Sequence, residues 1–278
     1  MLVDHVRVHS IIRSRRLNYK PGFTFLLFGL LMLVACSEPA PDVMAPQTAV
    51  LSPSAEEVHQ RALVIDAHAD IEIPGKESRY AGADGRSQVA PDKMRAGGVD
   101  AVVMAVAVGP GPRDAQGYAE SRAKAEEELA AVIKLTEDPS NNLVLARSAD
   151  ELLAAHRSGK GALILGFQNA RILGTDVSVL DGFFDAGVRV FALTHMGHND
   201  FADSSRPIYV TEQGAHEPVE EHGGLSELGR SAIKRINELG GIVDVSQLSR
   251  AATLQVLALS SAPVIASHSN VRQLSDVS

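Results

Sequence analysis

The chain of 278 residues contains a single cysteine, Cys36, so no disulfide can form within it. It has no Gly-x-Gly-x-x-Gly fingerprint and no phosphate-binding loop, which removes the usual dinucleotide and nucleoside triphosphate sites. No low-complexity tract and no repeat of solenoid type occurs. The longest apolar run, residues 23–35, falls short of the roughly 20 residues an ordinary transmembrane helix requires. Basic charge is scarce beyond the amino terminus. Residues 1–35 hold five basic side chains (Arg7, Arg13, Arg15, Arg16 and Lys20) against Asp4, and the whole chain carries −8. Setting that segment aside leaves 21 basic and 33 acidic side chains, a net −12, which argues against nucleic acid or an anionic membrane surface as partner.

What is present begins with a targeting pattern. A basic stretch precedes the short apolar run and then Cys36, the arrangement of a secretory signal. Leu33-Val34-Ala35-Cys36 resembles a bacterial lipoprotein box, which implies cleavage after residue 35 and lipidation of Cys36. Ser37, rather than Asp, resembles lipoproteins sent on to the outer membrane. Residues 36–54, rich in Pro, Ala and Ser, read as a flexible tether. The expectation is a signal peptide (1–35), a tether (36–54) and a periplasmic domain (55–278) held to the membrane by its lipid alone.

The remainder alternates short apolar runs with helical patterns. Strands are expected at 62–68, 99–108, 161–167, 188–194, 242–246 and 264–267, with helices at 91–96, 115–135, 149–156, 177–186, 225–239 and 250–259. In the helix at 115–135, Arg122, Lys124 and Glu126 to Glu128 are read as lying off the apolar side. Such alternation predicts a parallel sheet with crossover helices, either an open doubly wound sheet or a (β/α)₈ barrel. The strand ends separate the two. His68 and Asp70, Gln168, His195 and His268 each follow an apolar run, and Asp244 and Gln247 follow the fifth. In a barrel all carboxyl ends of the strands share one face, whereas an open sheet brings only a few of them to a ligand. The distribution favours the barrel. His68 and Asp70 are two apart on a strand and project together, a neutral nitrogen donor beside an anionic oxygen donor, the pair a divalent metal accepts.

Five segments carry a resemblance to the renal (membrane) dipeptidase family of zinc peptidases. They are I-D-A-H-A-D at 65–70, L-T-H-x-x-x-N-x-x-A-D-S at 193–204, G-G-L-S-E-L-G-R at 223–230, G-I-V-D-V-S at 241–246 and P-V-I-A-S-H-S at 263–269. The resemblance implies a (β/α)₈ barrel with about six of eight βα units in this chain, two metal ions, and cleavage of dipeptides. It assigns His68 and Asp70 to the first metal and His268 to the second. His195 would contact substrate and polarise the scissile carbonyl, and Asn199 and Asp203 would shape the substrate pocket, with capping of their own loop as the equal alternative. His198, His216 and His222, in the same loop, match no motif position and are read as surface residues.

Two departures stand out. Gln168 replaces the glutamate the family uses to bridge its metals, and Gln247 replaces a histidine of the second metal. An amide oxygen coordinates a cation without neutralising it. The expectation is therefore a single zinc ion held by His68, Asp70 and His268, with Gln168 and Gln247 as weak donors. A bound ion of that kind polarises a carbonyl and acidifies water, with His195 stabilising the oxyanion. The resemblance also implies two further βα units and a substrate-binding arginine; Arg272 lies near that arginine's place without its motif, and the chain is read as a fragment or a truncated gene product. A small peptide is the expected partner, with a homodimer as the possible assembly. The competing reading is a pseudoenzyme that binds peptide or metal without turnover, and a related amidohydrolase acting on another amide is the alternative within enzymes.

Overall fold

The computed structural model describes residues 52–73, 75–208, 216–270 and 274. The signal segment, Cys36, most of the tether and Arg272 lie outside the described residues. The folded part opens with α1 (Ala55–Arg61), fixed by a capping box: the Ser54 hydroxyl accepts the Glu57 N–H at 3.2 Å, and the Glu57 carboxylate accepts the Ser54 N–H at 2.7 Å.

Six parallel strands follow, β1 (Ile65–Asp70), β2 (Ala101–Ala107), β3 (Leu143–Leu145), β4 (Gly161–Gln168), β5 (Val188–Ala192) and β6 (Ile242–Asp244). Between and after them run α2 (Pro91–Gly97), α3 (Ala115–Glu137), α4 (Ala149–Arg157), α5 (Val179–Ala186), α6 (Glu227–Leu239) and α7 (Arg250–Leu259). The result is an α/β fold with a parallel half-barrel sheet, in the order β1-β2-β4-β5-β6. β3 was not expected from the sequence. Three residues give no periodicity to read, and the strand exists because Leu143, Val144 and Leu145 pair with Gly161, Ala162 and Leu163. The sixth expected strand, 264–267, is reduced to a parallel bridge between Ile265 and Asp244, with Ile265 N–H on the Val243 carbonyl at 2.9 Å and Val245 N–H on the Ile265 carbonyl at 2.8 Å.

The middle of the sheet is dry. Six of the seven residues of β2 are buried, as a strand covered on both faces requires, and β4 contributes Leu163, Leu165 and Phe167. Phe167 meets Phe183 of α5 edge-on at 5.3 Å and Phe191 of β5 at 5.8 Å. α3 lays Gly117, Ser121, Ala125, Glu128 and Val132 inward, one residue per turn, so small side chains let the helix sit close to β2.

Loops at the carboxyl ends are tied by buried polar groups. The Arg171 guanidinium donates to the carbonyls of Gly109, Pro112 and Gly117 at 3.0–3.1 Å and so holds the segment between β2 and α3 against the end of β4. Asn169, at φ +82°, donates to Val108 O at 3.0 Å from the same side.

α6 is seated by close backbone approach. The Phe201 carbonyl accepts from the Ser226 N–H at 3.0 Å, and a Cβ added to Gly229 would lie 2.0 Å from that carbonyl oxygen. Gly229→Ala is expected to lower stability by about 2–3 kcal/mol through overpacking, read as a shift of the denaturant midpoint with unchanged slope.

Candidate active site

β1 delivers His68 and Asp70 at its carboxyl end. Pairing with β2 slips by one residue between Asp66 and Ala69, a bulge that re-aims His68 while Asp70 stays in register with Ala105. β4 ends on Gln168, which is 1% exposed. His195 comes three residues after β5, Gln247 three after β6, and His268 three after the Ile265 bridge. Gln247 occupies the left-handed region at φ +63°, a conformation that turns its side chain back over the strand ends.

His268 is the centre of this group. Its Nε2 lies 3.1 Å from Gln168 Nε2 and 2.9 Å from Gln247 Nε2, and its ring stacks on His68 with centroids 3.9 Å apart. The other ring nitrogen fixes the tautomer. The Ser267 hydroxyl donates to the buried Asp244 carboxylate in a short hydrogen bond, so its oxygen is left to accept from His268 Nδ1–H at 2.8 Å. Asp244 also accepts the Ser246 N–H at 2.9 Å, and Ser246 Oγ accepts the His268 N–H at 3.1 Å. Nε2 therefore carries its lone pair toward the two amides, the state in which imidazole ligates a metal.

One lone pair cannot satisfy two amide donors. Both amide oxygens, Gln168 Oε1 and Gln247 Oε1, are buried without a hydrogen-bond partner, as is His195 Nδ1. Orphaned buried oxygens around a bare imidazole nitrogen are groups a cation would satisfy. Among the described residues no three His, Cys, Asp or Glu side chains stand close enough to share an ion. A two-ion centre thus lacks its charged ligands. The donors that stand together are neutral, His68 stacked on His268 with the amides of Gln168 and Gln247 on its Nε2; Asp70 leaves the same strand end as His68 but does not close a three-residue ligand set with the two histidines.

The sequence grouping for the 196–224 loop is corrected by the structure. Asn199 and Asp203 are 2% and 0% exposed and take the loop-capping alternative. Asn199 donates to Leu193 O at 2.7 Å and Asn169 Oδ1 at 2.9 Å and accepts the Phe201 and Ala202 N–H groups. The Asp203 carboxylate accepts N–H groups of Glu221, His222 and Gly224 at 2.8–3.1 Å. Both fold the loop. His198 is not a surface residue: its side chain is fully buried, its Nδ1 accepts the Ser204 N–H at 3.0 Å, and its Nε2 donates to Pro218 O at 2.7 Å. His222 is half-buried and donates to Asn199 O at 2.8 Å, whereas His216 is exposed.

Beside the cluster lies a cavity of about 390 Å³ whose walls include Asp70, His195, Glu128, Lys124, Arg79 and Tyr80. Glu128 escaped the sequence reading, which placed it off the apolar side of its helix; it is 5% exposed. The available signal was spacing: residue 128 falls on the stripe 117, 121, 125, 128, 132, the one ionisable member of it.

Burial holds the pKa values of His68, His195 and His268 below the ordinary 6.5. His268 lowers those of His68 and His195 further, and Asp70 opposes the shift in all three. Neutral imidazole thus persists to more acidic pH than in a free side chain. In metal-free protein, ring-proton titrations by NMR are expected to give midpoints below 6.5 for these three histidines.

Known proteins place this arrangement. The dipeptidase verJ of Clonostachys rogersoniana is 36% identical over 142 residues, 51% of this chain and 34% of verJ. The chain spans between about a quarter and a third of the length of the first curated relatives it matches. Among solved structures, the probable dipeptidase PvdM from Pseudomonas aeruginosa superposes with a TM-score of 0.71 at 35% identity, covering 80% of this chain and 56% of PvdM. A metallopeptidase from Rhodobacter sphaeroides, solved with a phosphinate mimic of the dipeptide L-Ala-D-Ala, superposes with a TM-score of 0.60 over 76% of this chain and 66% of its own. Its 20% identity speaks for the fold alone. Residues 53–278 match the family model of membrane dipeptidases, peptidase family M19, and the chain belongs to that family.

Proposed function

We propose that this chain serves zinc-dependent hydrolysis of dipeptides in the periplasm, held to the outer membrane through a lipid on Cys36. The observation that carries the reading is the convergence of His68, Asp70, His195 and His268 at the carboxyl ends of the strands beside a cavity of mixed charge. Family membership implies a metal cofactor. His68, Asp70 and His268 are the residues that would hold the ion, drawn closer together than they stand without it, with Gln168 and Gln247 supplying neutral oxygens; a bound ion would polarise the scissile carbonyl and acidify a water.

The chain's own groups divide the remaining work. Ser267 and Asp244 keep the proton on His268 Nδ1 and so keep Nε2 bare. His195, lining the cavity with its Nδ1 unpartnered, stands ready to donate to the oxygen that gains charge during attack on the carbonyl. The loop anchored by Asp203 and Asn199 fixes where His195 stands, since the Ser204 hydroxyl donates to the His195 carbonyl at 2.7 Å.

The test is release of free amino acids from a dipeptide panel by zinc-loaded protein, followed by mass spectrometry. Hydrolysis that disappears with a chelator and falls by about a hundredfold in kcat for His195→Ala supports the reading. Its absence from every dipeptide overturns it. The second reading, a pseudoenzyme, is favoured by the amides on His268. Loading is expected to give about one zinc per chain, rising in the Gln168→Glu/Gln247→His double variant. Activity confined to that double variant would select the pseudoenzyme.

A further inference from the structure

Glu128 is an ionisable group in the cavity to which the hydrolytic reading gives no task. One of its oxygens accepts the Ala107 N–H at 2.7 Å, and the other lies 3.4 Å from the Lys124 ammonium, whose side chain is 53% exposed. Capping Ala107 does not account for a carboxylate. A glutamine would accept the same N–H without a buried charge, and burying an ion costs far more than burying an amide. Burial pushes the Glu128 carboxyl up, against the opposing pull of the Ala107 N–H and Lys124. Such a group is stabilised as an anion when a cation reaches it.

Position defines which cation. Ala107 pairs with Gln168 across β2 and β4, and Asp70 pairs with Ala105 across β1 and β2. Glu128 therefore hangs over the end of β2, between the strands that deliver Asp70 and Gln168. The same cavity is bordered on its solvent side by exposed Lys76 and Arg79, in the loop after β1. Asp70 and Glu128 carry the inner charge with Lys124 beside them, whereas the loop after β1 mixes Glu72 and Glu77 with Lys76, which is paired to Glu127 at 2.6 Å, and Arg79. A dipeptide would be met with its ammonium toward Asp70 and Glu128 and its carboxylate toward Arg79.

We infer that Glu128 is the seat of the ligand's primary ammonium, held beside Asp70 while the ligand's carboxylate faces Arg79. This rests on the dipeptide reading and adds to it a requirement for a free amino terminus. Lys124 occupies the second oxygen of Glu128 when no ligand is present and, being half in solvent, is free to swing away.

The test is calorimetric binding of two ligands to the zinc-loaded full chain: a phosphinate mimic of Ala-Ala, and the same compound with hydrogen in place of its amino group. A charged hydrogen bond of this kind corresponds to at least about tenfold tighter binding of the amino compound. In Glu128→Gln, where the amide oxygen still accepts the Ala107 N–H, that preference is expected to fall toward unity with the deamino compound unaffected. Lys124→Met, a change on an exposed side chain, is expected to enlarge the preference by removing the competing cation. An unchanged preference in Glu128→Gln, an equal loss for both compounds, or no binding of either by the natural sequence overturns the assignment. Amino preference without dipeptide turnover would keep the ammonium seat and remove the hydrolytic reading, and turnover with an unchanged preference would do the reverse.

Discussion

Everything at the site depends on how the edges of β4 are used. One edge pairs with β2 from Ala101↔Ala162 to Ala107↔Gln168, and the other is divided, β3 taking its first half and β5 its second. Both edges are thus occupied along most of the strand, and its side chains are buried nearly throughout. That pairing fixes where Gln168 emerges, and with it the place of His268 between two amides. A parallel sheet gives all its carboxyl ends one direction, so residues a hundred positions apart, Gln168 and His268, meet at 3.1 Å.

The consequence for chemistry is a site short of negative charge. Of its two strand-end carboxylates, Asp70 and Asp244, the second is taken up by Ser267 and the Ser246 N–H, and the amides that stand where charged or imidazole groups were expected both lean on a single lone pair. Their orphaned oxygens leave the ion-free arrangement under tension, since a buried unpaired carbonyl is costly. A cation relieves that cost without requiring more ligand charge, which ties occupancy of the site to its local stability.

Much of this was legible before any coordinates. The apolar runs at 99–108 and 161–167 announced buried strands, and the strand-end positions of His68, Asp70, Gln168, His195, Gln247 and His268 announced a shared face. Three features were not. β3 is too short for its period to register and owes its existence to pairing across the chain. Asn199 and Asp203 lie within a motif, which left pocket wall and loop cap as equal alternatives, since motif membership does not distinguish a side chain that touches ligand from one that folds the loop around it. Glu128 sits in a run of three glutamates, and only the register of α3 against β2 tells the buried member from the solvated ones.

Arg171 bears on inheritance. Its guanidinium meets two carbonyls of the loop between β2 and α3 and one in the first turn of α3, using Nε and both terminal nitrogens, a fork that a lysine's single ammonium does not reproduce. The loop between β2 and α3 is in effect cast around that side chain, although 54 to 62 residues separate the partners. Transplanting either piece alone between relatives would leave a buried cation facing the wrong contour or a ring of carbonyls facing nothing. The wall of the cavity is thus a module with two distant addresses in the gene, to be exchanged together or left in place.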